Sequence, residues 1–324
     1  MEGEYRISEL TDDDVPAVVS LCRTALDLPE DAAEAAEIVL RLRETGGKAT
    51  RRLAGFIAVV PGGTGYGAAG GTLSGAPMSA AGHRVIGVVL GSISHRDPSI
   101  GHVDLVAVDP RERRRGVGRA LISRVEGVLA GLGAADILLA GNPPYYAWPG
   151  IDVRYTPAIC AAMAMGFEQD RPAWNMTAVL DGLPPTEEAE KRLAEQGITV
   201  RRAGRDDVPQ LTDFALANFG SGWAGEIADS VGRDRAGCHF AARGSEILGF
   251  AAYGSRPNWF GPMGTAPAAQ GLGIGATLLR RCLADQKAAG LSSVQIGWVG
   301  PMPFYSGVVG ARVERVFFLY RKHL

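Results

Sequence analysis

Two glycine-containing hexapeptides have the residue types and spacing of loops that bind phosphate groups. The first is Arg113-Arg114-Arg115-Gly116-Val117-Gly118, and the second is Gln270-Gly271-Leu272-Gly273-Ile274-Gly275. Each follows an apolar stretch and opens a segment of helical periodicity, so the unpaired N–H groups of a helix N-terminus lie beside the glycines. The helix dipole adds positive potential, and a glycine lets a ligand approach the backbone closely. The pattern therefore predicts a phosphate or pyrophosphate site in each half of the chain.

Neither hexapeptide matches the two commonest phosphate-binding motifs. A P-loop ends in Gly-Lys-Ser or Gly-Lys-Thr, which neither contains. A dinucleotide fingerprint requires a third glycine where Leu121 and Leu278 stand, and it opens a βαβ unit instead of following several strands. The basic run at residues 111–115 is compatible with a solvated surface, a nucleic-acid patch or contacts to ligand phosphates. The adjoining loop favours the last of these interpretations.

Similar segments precede both hexapeptides, which indicates an internal repeat. Residues 5–16 and 200–209 each predict a short strand, a turn and a helix, with Thr11–Asp14 and Gly204–Asp207 as capping pairs. Alternating and apolar runs predict further strands in both halves. In the first half they cover residues 53–60, 85–95, 102–108 and 137–140, and in the second half residues 238–242, 247–253, 260–265 and 294–299.

The length of 324 residues favours two domains. We predict an N-terminal domain at residues 1–180, a polar linker with a short helix at 181–197, and a C-terminal domain at 198–324. The halves differ most at residues 61–83, a run rich in Gly, Ala and Ser. Such a run is either a surface excursion or an active-site lid.

Composition narrows the function classes. With 46% apolar residues, 21% charged residues and a net charge of −2, the chain can bury a core, and wholesale disorder is excluded. The balanced charge gives no electrostatic reason to expect nucleic acid as a partner, and no apolar run reaches the length of a membrane span. The acidic N-terminus lacks the layout of a signal peptide, so a cytoplasmic location is expected. Four widely spaced cysteines predict buried, reduced thiols and no metal site: Cys22, Cys160, Cys238 and Cys282.

Both hexapeptides, with the upstream Pro110 and Pro267, resemble the diagnostic segment of the GNAT superfamily of acyl-CoA-dependent N-acyltransferases. That segment reads [Arg/Gln]-x-x-Gly-x-[Gly/Ala] between a strand and a helix. Two copies, with further similarity over nearly the whole chain, indicate a tandem GNAT protein. The resemblance implies an α/β fold, in which each half has a mixed, twisted α+β sheet flanked by helices.

The resemblance also implies acetyl-CoA as cofactor, with one molecule for each domain. Strands four and five would splay apart, and the pantetheine arm would pair with the backbone of strand four. The strand residues implied are Leu105, Val106, Ala107 and Val108 in the first half, and Met263, Gly264 and Thr265 in the second. The pyrophosphate loops implied are Arg113, Arg114, Arg115, Gly116, Val117, Gly118 and Arg119, and Gln270, Gly271, Leu272, Gly273, Ile274 and Gly275.

In many GNAT enzymes a tyrosine after strand five protonates the departing thiolate. Tyr305 has this position here, with one extra residue before Gly310, and the alternative is a tyrosine of the core. In the first half Ala162 stands at the corresponding place. A neighbouring aromatic segment either supplies a substitute acid or packs as a loop that shapes the pocket, and its tyrosines are Tyr145, Tyr146 and Tyr155.

A general base in this family is often a glutamate early on strand four. In the first half His102 takes that position, with Asp104 two residues further along the same face. A histidine titrates near neutral pH, although a single histidine is also common as a structural residue. The second half has Trp259 there, which is no base, and His239 is a weaker candidate.

Taken together, the residues and the resemblance predict an acetyl-CoA-dependent N-acetyltransferase of a small-molecule amine. The C-terminal domain is favoured as the catalytic one because it has Tyr305. The alternatives are a non-catalytic acyl-CoA-binding or sensor protein and a protein-amine acetyltransferase. We expect neither a nucleic-acid nor a membrane partner, and either a monomer with an internal pseudo-dimer or a weak homodimer.

Overall fold

Both halves of the chain build a sheet with the same order of strands. The computed structural model describes residues 5–44, 53–61 and 77–324. Most of the predicted excursion at 61–83 lies outside these residues. The described strands are β1 (Arg6–Glu9), β2 (Leu53–Val60), β3 (Arg84–Ile93), β4 (Ile100–Val108), β5 (Asp136–Leu139), β6 (Ile151–Asp152), β7 (Glu168–Val179), β8 (Ile198–Arg202), β9 (Gly237–Arg243), β10 (Glu246–Tyr253), β11 (Trp259–Thr265), β12 (Ser293–Ile296) and β13 (Arg312–His323).

Helices connect and cover these strands. They are α1 (Val15–Ala25), α2 (Pro29–Ala33), α3 (Ala35–Leu42), α4 (Val117–Gly131), α5 (Thr156–Ala164), α6 (Glu187–Ala194), α7 (Val208–Asn218), α8 (Ser221–Ser230), α9 (Ile274–Ala288) and α10 (Met302–Val309). Strands β1 to β4 and strands β8 to β11 pair antiparallel in sequence order. The pairs β4–β5 and β11–β12 are parallel. The predicted repeat is therefore a repeat of strand order and direction.

The last strand of each sheet comes from the other half of the sequence. In β13, residues 320–323 pair with β5, and Tyr320 lies opposite Leu139. In β7, residues 176–179 pair with β12, and Met176 lies opposite Ile296. The compact units are accordingly Met1–Arg171 with Phe318–Leu324, and Pro172–Phe317. We call them the first unit and the second unit.

The predicted domain boundary divides the chain differently. It assigns residues 172–180 to the first domain and 318–324 to the second, whereas residues 172–180 belong to the second compact unit and residues 318–324 to the first. The sequence pattern of a strand identifies the strand itself but not the sheet edge with which it pairs. The predicted linker contains the short helix α6, whose Leu193 is 2% exposed in the core of the second unit.

Each sheet has a hydrophobic cluster on both faces. In the first unit α4 packs over one face and α1 and α3 cover the other, and in the second unit α9 and the pair α7–α8 take these places. The apolar face predicted for α4 is buried, with Leu121, Val125 and Leu129 fully inaccessible. This burial anchors the helix N-termini over the sheets, so that the glycine loops are held at the ends of β4 and β11.

Local signals in the sequence are reproduced closely. The Thr11 N–H donates to Asp14 Oδ2 at 3.1 Å, and the Gly204 N–H donates to Asp207 Oδ2 at 2.8 Å, so both predicted capping bonds are made. The prediction of four buried thiols is wrong for Cys160, which is exposed on α5. Within the described residues, no helix has the length and apolar character needed to cross a bilayer.

Candidate functional site

The fourth strand of the first unit has a β-bulge at Asp104. Leu90 of β3 lies opposite Leu105, but the next residue, Gly91, lies opposite Val103, so Asp104 is the extra residue. The parallel pairing of β4 with β5 ends just before the bulge, at His102. Because a bulge bends the strand, β4 diverges from β5 beyond this point.

The fourth strand of the second unit has the same feature. Tyr253 of β10 pairs with Phe260 of β11, and Ala251 pairs with Met263. Between these two pairs β10 has two steps and β11 has three, so β11 contains one extra residue. The parallel pairing with β12 ends at Phe260. Both units therefore open a gap at equivalent positions, which is where the resemblance implies a pantetheine arm.

Both glycine loops have a left-handed backbone at the helix N-terminus. Gly116 is the N-cap of α4 with φ of +85°, and Gly273 is the N-cap of α9 with φ of +84°. Two residues earlier, Gly271 has φ of +82° and Arg114 has φ of +65°. Side chains other than glycine rarely adopt this conformation, so Arg114 is held in a strained one by the loop around it.

The arginines of the first loop have different surroundings. Arg113 donates to the Ala25 carbonyl oxygen at 2.8 Å, and its guanidinium lies 3.0 Å from Asp27, so it ties the loop to the end of α1. Arg115 lies 2.6 Å from Glu112, and the guanidiniums of Arg84 and Arg115 lower the pKa of that carboxyl. Arg114 is exposed. The phosphate contact implied for Arg113 therefore competes with partners inside the protein.

The second loop has no cationic side chain. The residues that align with Arg111 and Arg113–Arg115 are Ala268, Gln270, Gly271 and Leu272. Its attraction for an anion would come from backbone N–H groups and the dipole of α9, which has 15 residues. The two loops are thus alike in backbone conformation and different in charge.

Tyr305 lies on α10 beside the gap of the second unit. It is 7% exposed, and its ring packs edge-on against Phe260 at a centroid distance of 6.3 Å and against Phe304 at 5.1 Å. Burial raises the pKa of its hydroxyl. The phenol is therefore protonated at neutral pH, as a proton donor must be.

Ala162 occupies the position in the first unit that Tyr305 has in the second. Each is the buried residue of its helix. The carbonyl oxygen of each accepts a bond from the residue that precedes the next strand: Phe167 N–H at 3.1 Å and Ala311 N–H at 3.4 Å. The left-handed Gly310 stands five residues after Tyr305, whereas the left-handed Gly166 stands four after Ala162, which is the extra residue noted in the sequence.

His102 and Asp104 are separated by the bulge. His102 is 5% exposed, and its Nδ1 donates to the carbonyl oxygen of Ala140 at 2.9 Å. Asp104 lines the cleft described below, whereas His102 is not among the lining residues. The bulge interrupts the strand's alternation between the two residues, and their placement on one face stays a prediction. His239, the weaker candidate, is bonded through Nε2 to Asp285 of α9 at 2.8 Å.

A cleft opens in the first unit where β4 leaves β5. It encloses about 900 Å³ including its mouth, and its lining is mostly apolar and aromatic. One wall is β4 from Val103 to Val106, and the other is α5 with the segment that precedes it. The carboxylate of Asp152, also in the lining, is paired with Arg154 at 2.9 Å.

The aromatic segment of the first unit forms a wall of this cleft. The Trp148 Nε1–H and the Tyr155 hydroxyl both donate to the buried carboxylate of Asp31, each at 3.0 Å. Tyr145 and Tyr146 are 8% and 7% exposed. The segment thus shapes the pocket, and its bond to Asp31 on α2 had no signal in the sequence.

Comparison with known proteins identifies relatives of both halves. Residues 48–145 and 208–301, together more than half of the chain, match the sequence model of the Acetyltransferase (GNAT) family. A mycothiol acetyltransferase from Geodermatophilus obscurus is 32% identical over 210 residues, which are 58% of this chain and 62% of that protein. This chain therefore spans less than two thirds of that relative.

Solved structures share the fold along the full chain. A GCN5-related N-acetyltransferase from Sphaerobacter thermophilus matches with a TM-score of 0.67 and 19% identity, covering 100% of this chain and 96% of that one. A tandem GNAT protein from the clavulanic acid biosynthesis pathway matches with a TM-score of 0.63 and 16% identity, covering 98% of both chains. The predicted α/β fold with two such domains is confirmed.

Proposed function

Because the chain belongs to the Acetyltransferase (GNAT) family, we propose that it transfers an acetyl group from acetyl-CoA to the amine of a small-molecule acceptor. The proposal rests on an arrangement of strand and loop that occurs in both units. Each unit combines a bulged fourth strand that leaves its parallel neighbour with a left-handed glycine at the following helix N-terminus. The relative named mycothiol acetyltransferase supports a small acceptor.

The loops have room for the phosphates of the cofactor. A Cβ added at Gly116 or Gly273 would meet no other atom within 4 Å, so the space above both N-caps is open. Backbone N–H groups of the first turn would bind the pyrophosphate, and the free edge of β4 or β11 would bind the amide groups of the arm. Acetyl-CoA, once bound, supplies an activated thioester.

Tyr305 is our candidate for the general acid, and it supports catalysis in the second unit. The acceptor amine attacks the thioester carbonyl carbon, a C–N bond forms, and the C–S bond breaks. The Tyr305 hydroxyl would donate its proton to the departing sulfur, the amine nitrogen would release one proton to solvent, and solvent would return a proton to the Tyr305 phenolate. A buried phenol with a raised pKa retains its proton until that step. His102 as a base in the first unit stays a prediction.

A charge placed in each loop tests cofactor binding at each unit. Arg114 and Gly271 both have φ near the left-handed region that Asn and Asp tolerate. We therefore compare Gly271→Asp with Gly271→Asn, and Arg114→Asp with Arg114→Asn, so that each pair differs in charge alone. One added negative charge about 6 Å from a phosphate weakens binding by about 1–2 kcal/mol, or about tenfold.

The assay is calorimetric titration with acetyl-CoA, followed by thiol release across a panel of small amines that includes mycothiol-related ones. We expect each Asp variant to weaken one site and Tyr305→Phe to slow thiol release without changing acetyl-CoA affinity. Equal affinities within both pairs would contradict the assignment of the loops.

A second candidate function is a non-catalytic acyl-CoA binder. The observation that favours it is Ala162, which leaves the first unit without a hydroxyl at the position of Tyr305. Binding without thiol release for any amine, including peptide amines, would select this function over the transferase. If the rate of thiol release were the same in Tyr305→Phe, Tyr305 would not be the general acid of the second unit.

A further inference from the structure

The cleft of the first unit continues beyond the gap between β4 and β5. Its lining includes Ile122 and Met165 from the hydrophobic cluster that contains α4, and Leu26 and Leu42 from the cluster that contains α1 and α3. The two faces of the cleft are joined by α5, which contributes small side chains to the lining. The cavity is therefore a mostly apolar space that begins at the strands' point of divergence.

One residue difference between the units affects the space at the α5 side of the cleft. In the second unit the Tyr305 ring is packed against Phe260 and Phe304. In the first unit the equivalent Ala162 has a methyl group, is 1% exposed and lines the cleft. A phenol ring at this position would project from the buried face of α5 into the cleft.

Two carboxylates beside the aromatic wall, Asp31 and Asp152, are bonded to residues of the wall, and Asp104 lines the cleft at the bulge. Asp31 accepts hydrogen bonds from Trp148 and Tyr155, and Asp152 is held by the guanidinium of Arg154. These bonds hold the aromatic segment and α5 in place. The cleft is thus preorganised, which lowers the entropic cost of binding an apolar group.

We propose that the first unit binds an acyl-CoA whose acyl group is longer than acetyl, and that Ala162 sets the length it accepts. This inference rests on the proposed function, because the thioester would lie at the bulge of β4. A chain attached to the thioester carbonyl then enters the cleft directly. Each methylene buried in an apolar site contributes about fourfold in affinity. Hexanoyl has four methylenes more than acetyl, so the gain is about 250-fold.

The test is a calorimetric titration of the full chain with acetyl-CoA, butyryl-CoA and hexanoyl-CoA. We expect one site to tighten about fourfold per methylene and the other to change little. Ala162→Tyr should abolish the gain with chain length. The matched control is Met163→Tyr, which adds the same ring at a neighbouring side chain that is 63% exposed, and it should retain the gain.

The outcomes separate this inference from the proposed function. Acetyl-CoA bound at both sites with no gain from longer chains overturns the inference and leaves the acetyltransferase proposal standing. No binding of any acyl-CoA overturns both. If Ala162→Tyr does not fold, Ala158→Leu narrows the cleft from another position of α5. A gain that survives this change undiminished also overturns the role of the cleft.

Discussion

Tyr320 lies near the C-terminus of the sequence, but its side chain belongs to the core of the first unit. It is 2% exposed within the cluster that contains α4, and its backbone pairs with Leu139 of β5. Met176 is its counterpart: it lies in the first 180 residues but is 2% exposed in the core of the second unit, opposite Ile296. Truncating Tyr320 should therefore weaken the first unit, and truncating Met176 should weaken the second.

The magnitude follows from burial. Replacing a buried aromatic side chain by alanine costs about 3–5 kcal/mol, and a buried methionine about 2–5 kcal/mol. A loss of about 3 kcal/mol raises the population of the open unit, and hence amide exchange from it, by about 100-fold. Tyr320→Phe keeps the ring and serves as the control, because it removes only the hydroxyl.

Hydrogen exchange read by mass spectrometry resolves the two units. In Tyr320→Ala we expect faster exchange in β3, β4 and β5, with β9 to β12 unchanged. In Met176→Ala the pattern should be reversed. Faster exchange confined to residues 198–317 in Tyr320→Ala would refute the assignment of the C-terminal strand to the first unit.

Three further predictions concern the loops, the caps and the acid. Arg114→Gly should raise the free energy of unfolding by about 0.5–1 kcal/mol, because glycine adopts the left-handed backbone at this position without strain. Gly271→Ala should lower it by a similar amount. Thermal melts check both variants, and a destabilised Arg114→Gly would contradict the reasoning. The Arg201 guanidinium, 2.5 Å from the Asp207 carboxylate, lowers the pKa of that carboxyl to about 2. Asp207→Asn should therefore lower the free energy of unfolding at neutral pH, and this difference should disappear as the pH falls from about 4 towards 2. Urea titrations measure it, and a difference that does not depend on pH would argue against the ion pair. Burial raises the pKa of Tyr305, so thiol release should persist above the pH at which an ordinary tyrosine ionises, and a rate that falls with the ordinary tyrosine pKa would count against its role as acid.

Much of the molecule is readable from short-range patterns. The capping bonds of Asp14 and Asp207 join residues three apart, and the buried face of α4 repeats every three to four residues. The hexapeptides indicated the loops at the N-termini of α4 and α9, and the left-handed Gly116 and Gly273 lie within these loops. Interactions of this range are encoded in neighbouring residues, so a sequence read by itself contains them.

The candidate site was only partly predictable. Tyr305 was singled out by its motif, the structure shows its ring packed beside Phe260, and its role as the acid stays a prediction. The bulge at Asp104 was not foreseen, because an extra residue in a strand is defined by the partner strand and not by its own sequence. The bond of Tyr155 to Asp31 spans more than a hundred residues, and no local pattern marks it.

The sequence alone determined that the chain is a repeat of two α/β halves, each with a glycine-containing loop at a helix N-terminus. Only the tertiary structure decided which strand completes which sheet, where β4 leaves β5, and how far the cleft beside Ala162 extends. The physical reason is the range of the interactions. Helix faces, caps and glycine conformations depend on neighbours along the chain, whereas edge pairing and cavity volume depend on surfaces that meet only after the chain has folded.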